Sequence, residues 1–318
     1  MKEQYRAYGL TLCSEFALAG MEGCDSRPPG LQAGGGPLAL ELVEPDRLSG
    51  LWSGPAGDFR WRGRLGDGSE LTIERGRAGD LLFGDGARAS FRLNGEASAL
   101  QCAPREDGLH WQRTLLGKVL STVSVLRGHE ALHASAVDSP WGAVAIAAPT
   151  GMGKTTLALE LMGRGWPLLA DDVVVLASTP EGVLAQPGTP HMNLAVTAPG
   201  GSRSRAPGPT LALLAGERWI AAREHARAAR PVCAICLLER AAGQPLAVRA
   251  LPRNPLLLTP YMLGLLESRE RRRTRFELYA DLVDAAALMR LTCAGEDSPG
   301  ALADMLVSSL ERRYDEPL

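Results

Sequence analysis

The chain has almost no lysine. Of its 34 lysine and arginine residues, only Lys2, Lys118 and Lys154 are lysines. Arginine therefore occupies nearly every cationic position. Lysine is the better residue only where a compact, flexible ammonium is needed in place of a planar guanidinium. A position beside a phosphate chain is one such case. Lys154, which follows two closely spaced glycines, is therefore a candidate site residue.

The chain also lacks a strong net charge and a long apolar run. Its formal charge of −2 gives no general attraction to nucleic acid or to anionic membranes. No apolar stretch approaches the roughly 18 residues of a membrane-spanning helix. Residues 1–6 do not have the apolar core of a signal peptide. We therefore expect a cytoplasmic protein that binds neither nucleic acid nor membranes.

The six cysteines do not follow the spacing of a disulfide framework. Cys233 and Cys236 form a C-x-x-C pair, but they lie inside an apolar run and no second Cys or His pair completes a zinc site. Residues three apart on a regular strand point to opposite faces. We therefore expect both thiols to pack in the core, on opposite faces of a strand.

The most informative motif spans residues 148–156 and reads Ala-Pro-Thr-Gly-Met-Gly-Lys-Thr-Thr. It follows an apolar run and opens a helical pattern, which is the strand, turn and helix context of a phosphate-binding loop. The glycines allow successive N–H groups to face one anion at a helix N-terminus. Ala148 replaces the usual first glycine, and an alanine is tolerated there if it ends the strand with a negative φ.

This motif predicts ATP and Mg²⁺ as cofactors. The ammonium of Lys154 can reach the β- and γ-phosphates, and the hydroxyl of Thr155 can bind Mg²⁺. The residues that we assign to nucleotide binding are Gly151, Met152, Gly153, Lys154, Thr155 and Thr156.

Asp171 and Asp172 follow an apolar strand start shortly after the motif. Phosphoryl transfer to a hydroxyl needs one acid to accept the proton and another to hold Mg²⁺. Neighbours on an extended strand project oppositely, so the backbone must bend if both are to serve one site. We assign Asp171 as the base and Asp172 to the metal or its water shell; the reverse order, and exposed aspartates at a strand end, are the alternatives.

The pattern along the chain predicts an α/β protein with two domains. Residues 1–110 form a β-rich module, read as a small antiparallel sheet, with turns at residues 66–68 and 84–86. Residues 111–318 form the nucleotide-binding domain, which opens with a helical pattern over residues 111–127 and is helical again from Asn254 onward. Residues 199–209 are a connector or a loop near the site.

Three segments together resemble the catalytic core of HPr kinase/phosphorylase, a P-loop family akin to phosphoenolpyruvate carboxykinase. They are residues 132–134 (Leu-His-Ala), 150–155 and 164–172, which ends in the Asp-Asp pair. The resemblance implies that Asp171 is the general base, that Lys154 and Thr155 hold nucleotide and Mg²⁺, and that His133 lies near the phosphates as a catalytic residue. From the residues alone, a strand histidine bonded in the core is the alternative for His133.

The chain differs from HPr kinases in its N-terminal module and in lacking their later glycine-rich segment. As a whole it resembles HPr-kinase-like proteins, some of which accompany lasso-peptide biosynthesis and phosphorylate a serine of the precursor peptide. The resemblance therefore implies an ATP-dependent serine kinase whose partner is a peptide or small protein, and it suggests a homo-oligomer. A small-molecule hydroxyl kinase and a nucleotide-sensing ATPase are the alternative functions.

Weaker candidates remain open. Glu239 and Arg240 could direct an acid or a cation at the phosphates, or form surface salt bridges. His191 and Asn193 could contact substrate or lie in a plain loop. The basic run at residues 269–275 is expected to be a solvated helix face, and attraction of an acidic peptide or of an already phosphorylated acceptor is the alternative.

Overall fold

The computed structural model describes residues 2–24, 35–64, 70–196, 208–214, 216–263 and 269–315. The predicted turn at residues 66–68 and most of the loop at residues 199–209 lie outside these ranges. The described residues form a mixed α/β protein that is rich in sheet and has six α-helices. None of these helices is both long and apolar enough to cross a membrane.

The first eight strands form one sheet in the order β1-β2-β3-β8-β7-β6-β5-β4. They are β1 (Glu3–Ala7), β2 (Leu10–Ser14), β3 (Leu38–Leu42), β4 (Pro55–Arg64), β5 (Glu70–Gly76), β6 (Leu81–Asp85), β7 (Ala89–Leu93) and β8 (Ala99–Pro104), with helix α1 (Pro45–Leu51) between β3 and β4. The predicted β-rich character is confirmed. The expectation of a purely antiparallel sheet is wrong, because β3 runs parallel to both β2 and β8.

The predicted helix at residues 111–127 is confirmed, with an interruption that the pattern did not predict. It consists of α2 (His110–Thr114), a π-helical turn (Leu115–Val119) and α3 (Leu120–Leu126). Its apolar side, which includes Leu115 and Val123, belongs to the same buried cluster as the first sheet. The helix and that sheet therefore share one core, and a domain boundary at residue 110 stays a prediction.

The remaining strands form a nine-stranded and a three-stranded sheet. They are β9 (Glu130–Leu132), β10 (Ala134–Ser139), β11 (Gly142–Ala147), β12 (Leu168–Ala170), β13 (Val174–Thr179), β14 (Gly182–Gln186), β15 (His191–Ala195), β16 (Thr210–Leu214), β17 (Glu217–Ala221), β18 (Arg230–Arg240), β19 (Ala247–Ala250) and β20 (Ala287–Cys293). The larger sheet has β11, β18 and β20 as parallel neighbours. The smaller sheet has the order β15-β17-β16.

Helices cover both faces of the larger sheet. The remaining helices are α4 (Lys154–Met162), a 3₁₀ helix (Pro255–Tyr261), α5 (Arg269–Ala285) and α6 (Pro299–Tyr314). Val144 and Ile146 of β11 share a buried cluster with α4 and α6, whereas Ala145 shares one with α5. This alternation fixes β11, and the turn that follows it, between two helical layers.

The prediction of a helical region from Asn254 onward is wrong for Ala287–Cys293. This segment is β20, which pairs in parallel with β18 inside the larger sheet. A buried parallel strand has apolar residues on both faces, so its sequence lacks the alternation that separates a strand from a helix.

Cys233 and Cys236 are both buried, as predicted, but they lie on the same face. Val232 and Ala234 pair with adjacent residues of β11, so Cys233 is an extra residue at an irregularity in β18. A bulge of this kind resets the alternation of side chains. Both thiols therefore pack in the same cluster beside α4 and α6, and the expectation of opposite faces is wrong.

Candidate functional site

The glycine turn at residues 148–153 joins β11 to α4, so the strand, turn and helix context is as the motif predicts. Gly151 and Gly153 have φ values of 83° and 98°, a left-handed conformation that glycine adopts without strain. Ala148 does not need a positive φ, which explains why an alanine is tolerated there. The N–H groups of the first turn of α4 are therefore available to an anion at its N-terminus.

Lys154 is buried, and its ammonium lies inside this turn. Nζ donates to the main-chain oxygens of Ala148 at 2.9 Å and Pro149 at 3.3 Å. It also lies 3.0 Å from Nε2 of His133, in the connection between β9 and β10. Because an ammonium can only donate, His133 accepts at Nε2 and carries its proton on Nδ1. Burial lowers the pKa of Lys154, against the opposing charges of Asp172 and Asp171.

Asp171 and Asp172 lie in the bend between β12 and β13, and both line the same cavity. The bend is local to Asp172, whose φ of 68° lies in the left-handed region that non-glycine residues rarely adopt. This conformation supplies the change of direction that two adjacent carboxylates need in order to face one site.

Asp171 accepts hydrogen bonds from three sides. Oδ1 accepts from the hydroxyls of Ser135 at 2.5 Å and Thr155 at 2.9 Å, and Oδ2 accepts from the main-chain N–H of Asn193 at 3.3 Å. Burial raises the pKa of Asp171, and the neighbouring charge of Asp172 adds to this effect, although the hydrogen bonds oppose it. Asp171 is thus a carboxylate with an increased affinity for a proton.

The environment of Asp172 lowers the pKa of its carboxyl group, whereas that of Asp171 raises it. Its carboxylate forms an ion pair with Lys118, and Oδ1 lies 3.3 Å from Nδ1 of His133. Burial disfavours the charged form, but Lys118 and His133 outweigh this effect and hold the pKa of Asp172 well below its usual range. Two adjacent carboxylates with pKa values shifted in opposite directions are typical of sites in which one group exchanges a proton and the other stays ionised.

The structure brings the predicted site residues together, except for Met152, and it differs from the prediction in one pairing. The cavity is lined by Gly151, Gly153, Lys154, Thr155, Thr156, His133 and both aspartates. Met152 instead packs against the apolar cluster beneath α4. Thr155 and Asp172 are the two predicted metal ligands. Thr155 contacts Asp171, whereas Asp172 contacts Lys118.

Two residues around the site, Lys118 and Ser135, were not predicted, whereas the weaker candidates His191 and Asn193 lie in strand β15 rather than in a plain loop. Lys118 pairs with Asp172, and Ser135 donates to Asp171. Asn193 uses its side-chain oxygen to accept from Arg113 at 2.8 Å, so it belongs to the site, whereas His191 is buried against Trp219. The sequence did contain a signal for Lys118. It is one of only three lysines in the chain, and this scarcity of lysine is the observation that made Lys154 a candidate.

Arg240 supports the glycine turn. It ends β18, which runs parallel to β11, so the carboxyl ends of both strands lie at one edge of the sheet. Its Nε donates to the main-chain oxygen of Met152 at 3.1 Å, and Nη1 donates to that of Ala294 at 3.3 Å. Glu239 instead pairs with Arg290 at 3.3 Å.

The basic run at residues 269–275 is only partly solvated. Arg275 is buried and donates to Glu130 at 2.8 Å, and Arg271 lies 3.4 Å from the same carboxylate. Arg273 is exposed and pairs with Glu277. The expectation of an entirely solvated basic face is therefore wrong.

The cavity in front of these residues has a volume of about 810 Å³. The hydroxyl of Thr155 and the two carboxylates offer the oxygen ligands that Mg²⁺ prefers, and the turn offers N–H groups and Lys154 to phosphate. In the described part of the chain, no three His, Cys, Asp or Glu side chains form a metal cluster. Mg²⁺ does not require one, because it is usually held by one or two carboxylates together with water and substrate phosphates. The residues present therefore fit a magnesium nucleotide.

No protein-family model and no curated protein matches the chain. Among solved structures it is similar to the Hpr(Ser) kinase/phosphatase from Coxiella burnetii, at 15% sequence identity, with 57% of this chain and 97% of that chain covered and a TM-score of 0.29. This is a distant structural relationship. We therefore base the functional proposal on the residues and distances given above.

Proposed function

We propose that this protein is an ATP-dependent kinase that transfers the γ-phosphoryl group to a serine hydroxyl of a peptide or small protein. The observation that carries the proposal is the pair Asp171 and Asp172, whose pKa values are shifted in opposite directions beside a glycine turn that holds a buried lysine. A precursor peptide of the lasso type is one acceptor with this chemistry, and a homo-oligomer is the proposed assembly.

In the proposed reaction, ATP with Mg²⁺ supplies the phosphoryl group and the metal that neutralises its charge. The N–H groups of the turn and the ammonium of Lys154 bind the phosphates, while Thr155 and Asp172 hold the metal or its water. Asp171 accepts the serine proton as the serine oxygen bonds to the γ-phosphorus and the bond to the β-phosphate oxygen breaks. Positioning and electrostatic stabilisation by these residues provide most of the acceleration.

His133 contacts both Lys154 and Asp172. It accepts from Lys154 at Nε2, and its Nδ1 lies 3.0 Å from the main-chain oxygen of Asp172. Turning the ring would lose both contacts at once. We therefore assign His133 to the orientation of Lys154 and Asp172 around the phosphates.

Intact-mass spectrometry tests the proposal. Serine-bearing peptides, including a lasso precursor, and HPr are incubated separately with the protein, ATP and Mg²⁺. We expect a gain of about 80 Da on a peptide, the mass of one transferred phosphoryl group. Lys154→Ala should abolish the gain, whereas Lys2→Ala should keep it, because Lys2 is exposed and pairs with Glu15 at the surface.

The other outcomes separate the alternative functions. A gain on HPr alone would identify HPr as the acceptor. ATP consumption without a gain on any peptide or on HPr would contradict the peptide-kinase proposal and favour a small-molecule acceptor or an ATPase. The absence of both ATP binding and ATP consumption would contradict the assignment of the glycine turn to phosphate.

A further inference from the structure

The cavity extends beyond the catalytic residues to the first sheet. Trp61 and Gly63 of β4 line it together with Leu71 and Ile73 of β5. Trp61 pairs with Ile73, and Gly63 pairs with Leu71, so all four residues point to the same face of the sheet. The N-terminal part of the chain thus provides an apolar wall to the cavity that contains Asp171.

The helix at residues 110–126 forms a second wall. Arg113, Gly117, Ser121 and Val125 line the cavity at intervals of four residues, which places them along one side of the helix. Twelve residues of helix span about 18 Å. An extended peptide rises about 3.3 Å per residue, so about five residues would cover this length. The part of the cavity lining that follows this helix is therefore as long as about five residues of an extended peptide.

Gly117 leaves space in the middle of this wall. A Cβ atom built on Gly117 would have no atom within 4 Å, other than its own chain neighbours and helix backbone. Gly117 lines the same cavity as Lys118 and Asp172, so this space is part of the cavity that contains the catalytic carboxylates.

The cations in this part of the cavity already have polar or acidic partners. Arg113 contacts Glu217 and Asn193, and Lys118 contacts Asp172. Arg88 lies 3.8 Å from Asp85. Paired charges attract an acidic acceptor less than unpaired ones would, whereas the partly buried Trp61 offers apolar contact beside the buried Leu71 and Ile73.

We propose that this part of the cavity, bounded by Trp61, Leu71, Ile73 and Gly117, binds the peptide segment around the acceptor serine and selects an apolar side chain next to that serine. The inference rests on the proposed function and deepens it, because it names the kind of acceptor sequence. It also assigns a role to the first sheet, which forms the specificity wall while the glycine turn and the aspartates perform the transfer.

A degenerate peptide library tests the inference. Peptides with one fixed serine and randomised neighbours are incubated with the protein, ATP and Mg²⁺, and the phosphorylated products are sequenced by mass spectrometry. We expect enrichment of apolar residues at one or more positions adjoining the serine. Enrichment of acidic residues, or of none, would overturn the proposal.

Gly117→Leu tests the location. The leucine side chain would fill the space beside the helix, so we expect kcat/KM for a selected peptide to fall on the order of tenfold or more through KM, the loss expected when one apolar side chain can no longer be buried. The dissociation constant for ATP should not change. Gly50→Leu is the matched control, because Gly50 also lies in a helix with open space around it, in α1 outside the cavity lining.

Trp61→Ala is the second variant and should reduce the apolar preference without lowering ATP affinity. If Gly117→Leu and Trp61→Ala both bind ATP and phosphorylate the selected peptide as wild type does, the acceptor does not use this cavity and the inference is wrong, although the kinase proposal stands. If no library peptide is phosphorylated while ATP is consumed, the proposed function itself fails, and the inference fails with it.

Discussion

Lys118 and Asp172, which lie 54 residues apart in the chain, form an ion pair beside the glycine turn. The lysine belongs to a π-helical turn that packs in the core of the first sheet, and the aspartate belongs to the bend in the larger sheet. A π-turn interrupts regular helical spacing, and such turns are frequent at functional sites. A helix that packs against the first sheet therefore contributes to the electrostatics of the site.

Lys118→Met should destabilise the fold, because it leaves the carboxylate of Asp172 without its cationic partner. The two side chains are 31% and 32% exposed, so we expect a moderate loss of about 1–2 kcal/mol in the free energy of unfolding. The double variant Lys118→Met/Asp172→Asn should recover part of this loss. Urea denaturation measures the free energy of unfolding of wild type, Lys118→Met, Asp172→Asn and the double variant, and additive losses would show that the pair is not coupled.

Asp171→Asn should lower the rate of phosphoryl transfer by about 10²–10⁴-fold, the usual contribution of a proton-transfer group. The asparagine oxygen can still accept from Ser135 and Thr155, so nucleotide affinity should remain nearly intact. Transfer rates by mass spectrometry and the ATP dissociation constant check the two parts. Weak nucleotide binding with unchanged turnover would instead show that the roles are reversed, with Asp172 as the base and Asp171 at the metal.

Arg240→Met should weaken ATP binding without removing any group that performs the chemistry. The variant loses the hydrogen bonds to the main-chain oxygens of Met152 and Ala294, which hold the turn. Hydrogen bonds from charged groups contribute about 1.5–3 kcal/mol, so we expect the dissociation constant to rise about tenfold or more. Calorimetric titration measures it, with Arg290→Met, which removes an exposed partner of Glu239, as control. Equal effects of both variants would exclude a specific role for Arg240.

Stability should fall in mild acid because of buried histidines. Burial lowers the pKa of His129 and of His191 to about 4, compared with about 6.5 in an unfolded chain. Between these values the unfolded chain binds more protons, so this contribution is present above pH ~6.5 and is lost as the pH falls towards 4. We expect about 1–2 kcal/mol less stability per histidine at pH ~5 than at pH ~7.

Urea denaturation of wild type and His191→Gln over this pH range isolates the effect of one histidine. The variant should be less stable at pH ~7, because it loses the contact with Trp219, but its stability should depend less on pH. If the stability of the two proteins depends equally on pH, His191 does not contribute to the loss of stability in acid.

Local patterns in the sequence were enough to predict the elements nearest the chemistry. The glycine turn, Lys154 and the adjacent aspartates all lie where the motif and the apolar runs placed them. Such features depend on residues within one strand, one turn and one helix, whose backbone preferences are local. The helix at residues 111–127 was predictable for the same reason, although its π-turn was not.

Contacts between distant segments were decided only by the tertiary structure. Lys118 meets Asp172, Ser135 meets Asp171 and Arg240 meets the turn because sheet pairing and core packing bring their elements together. A single sequence carries no record of such pairing, and a buried strand such as β20 has no alternation to mark it. The sequence by itself therefore determined which groups we propose to bind phosphate. The fold decided the environments of Asp171 and Asp172, because burial and neighbouring charges set each pKa, and it joined the apolar wall of the first sheet to their cavity.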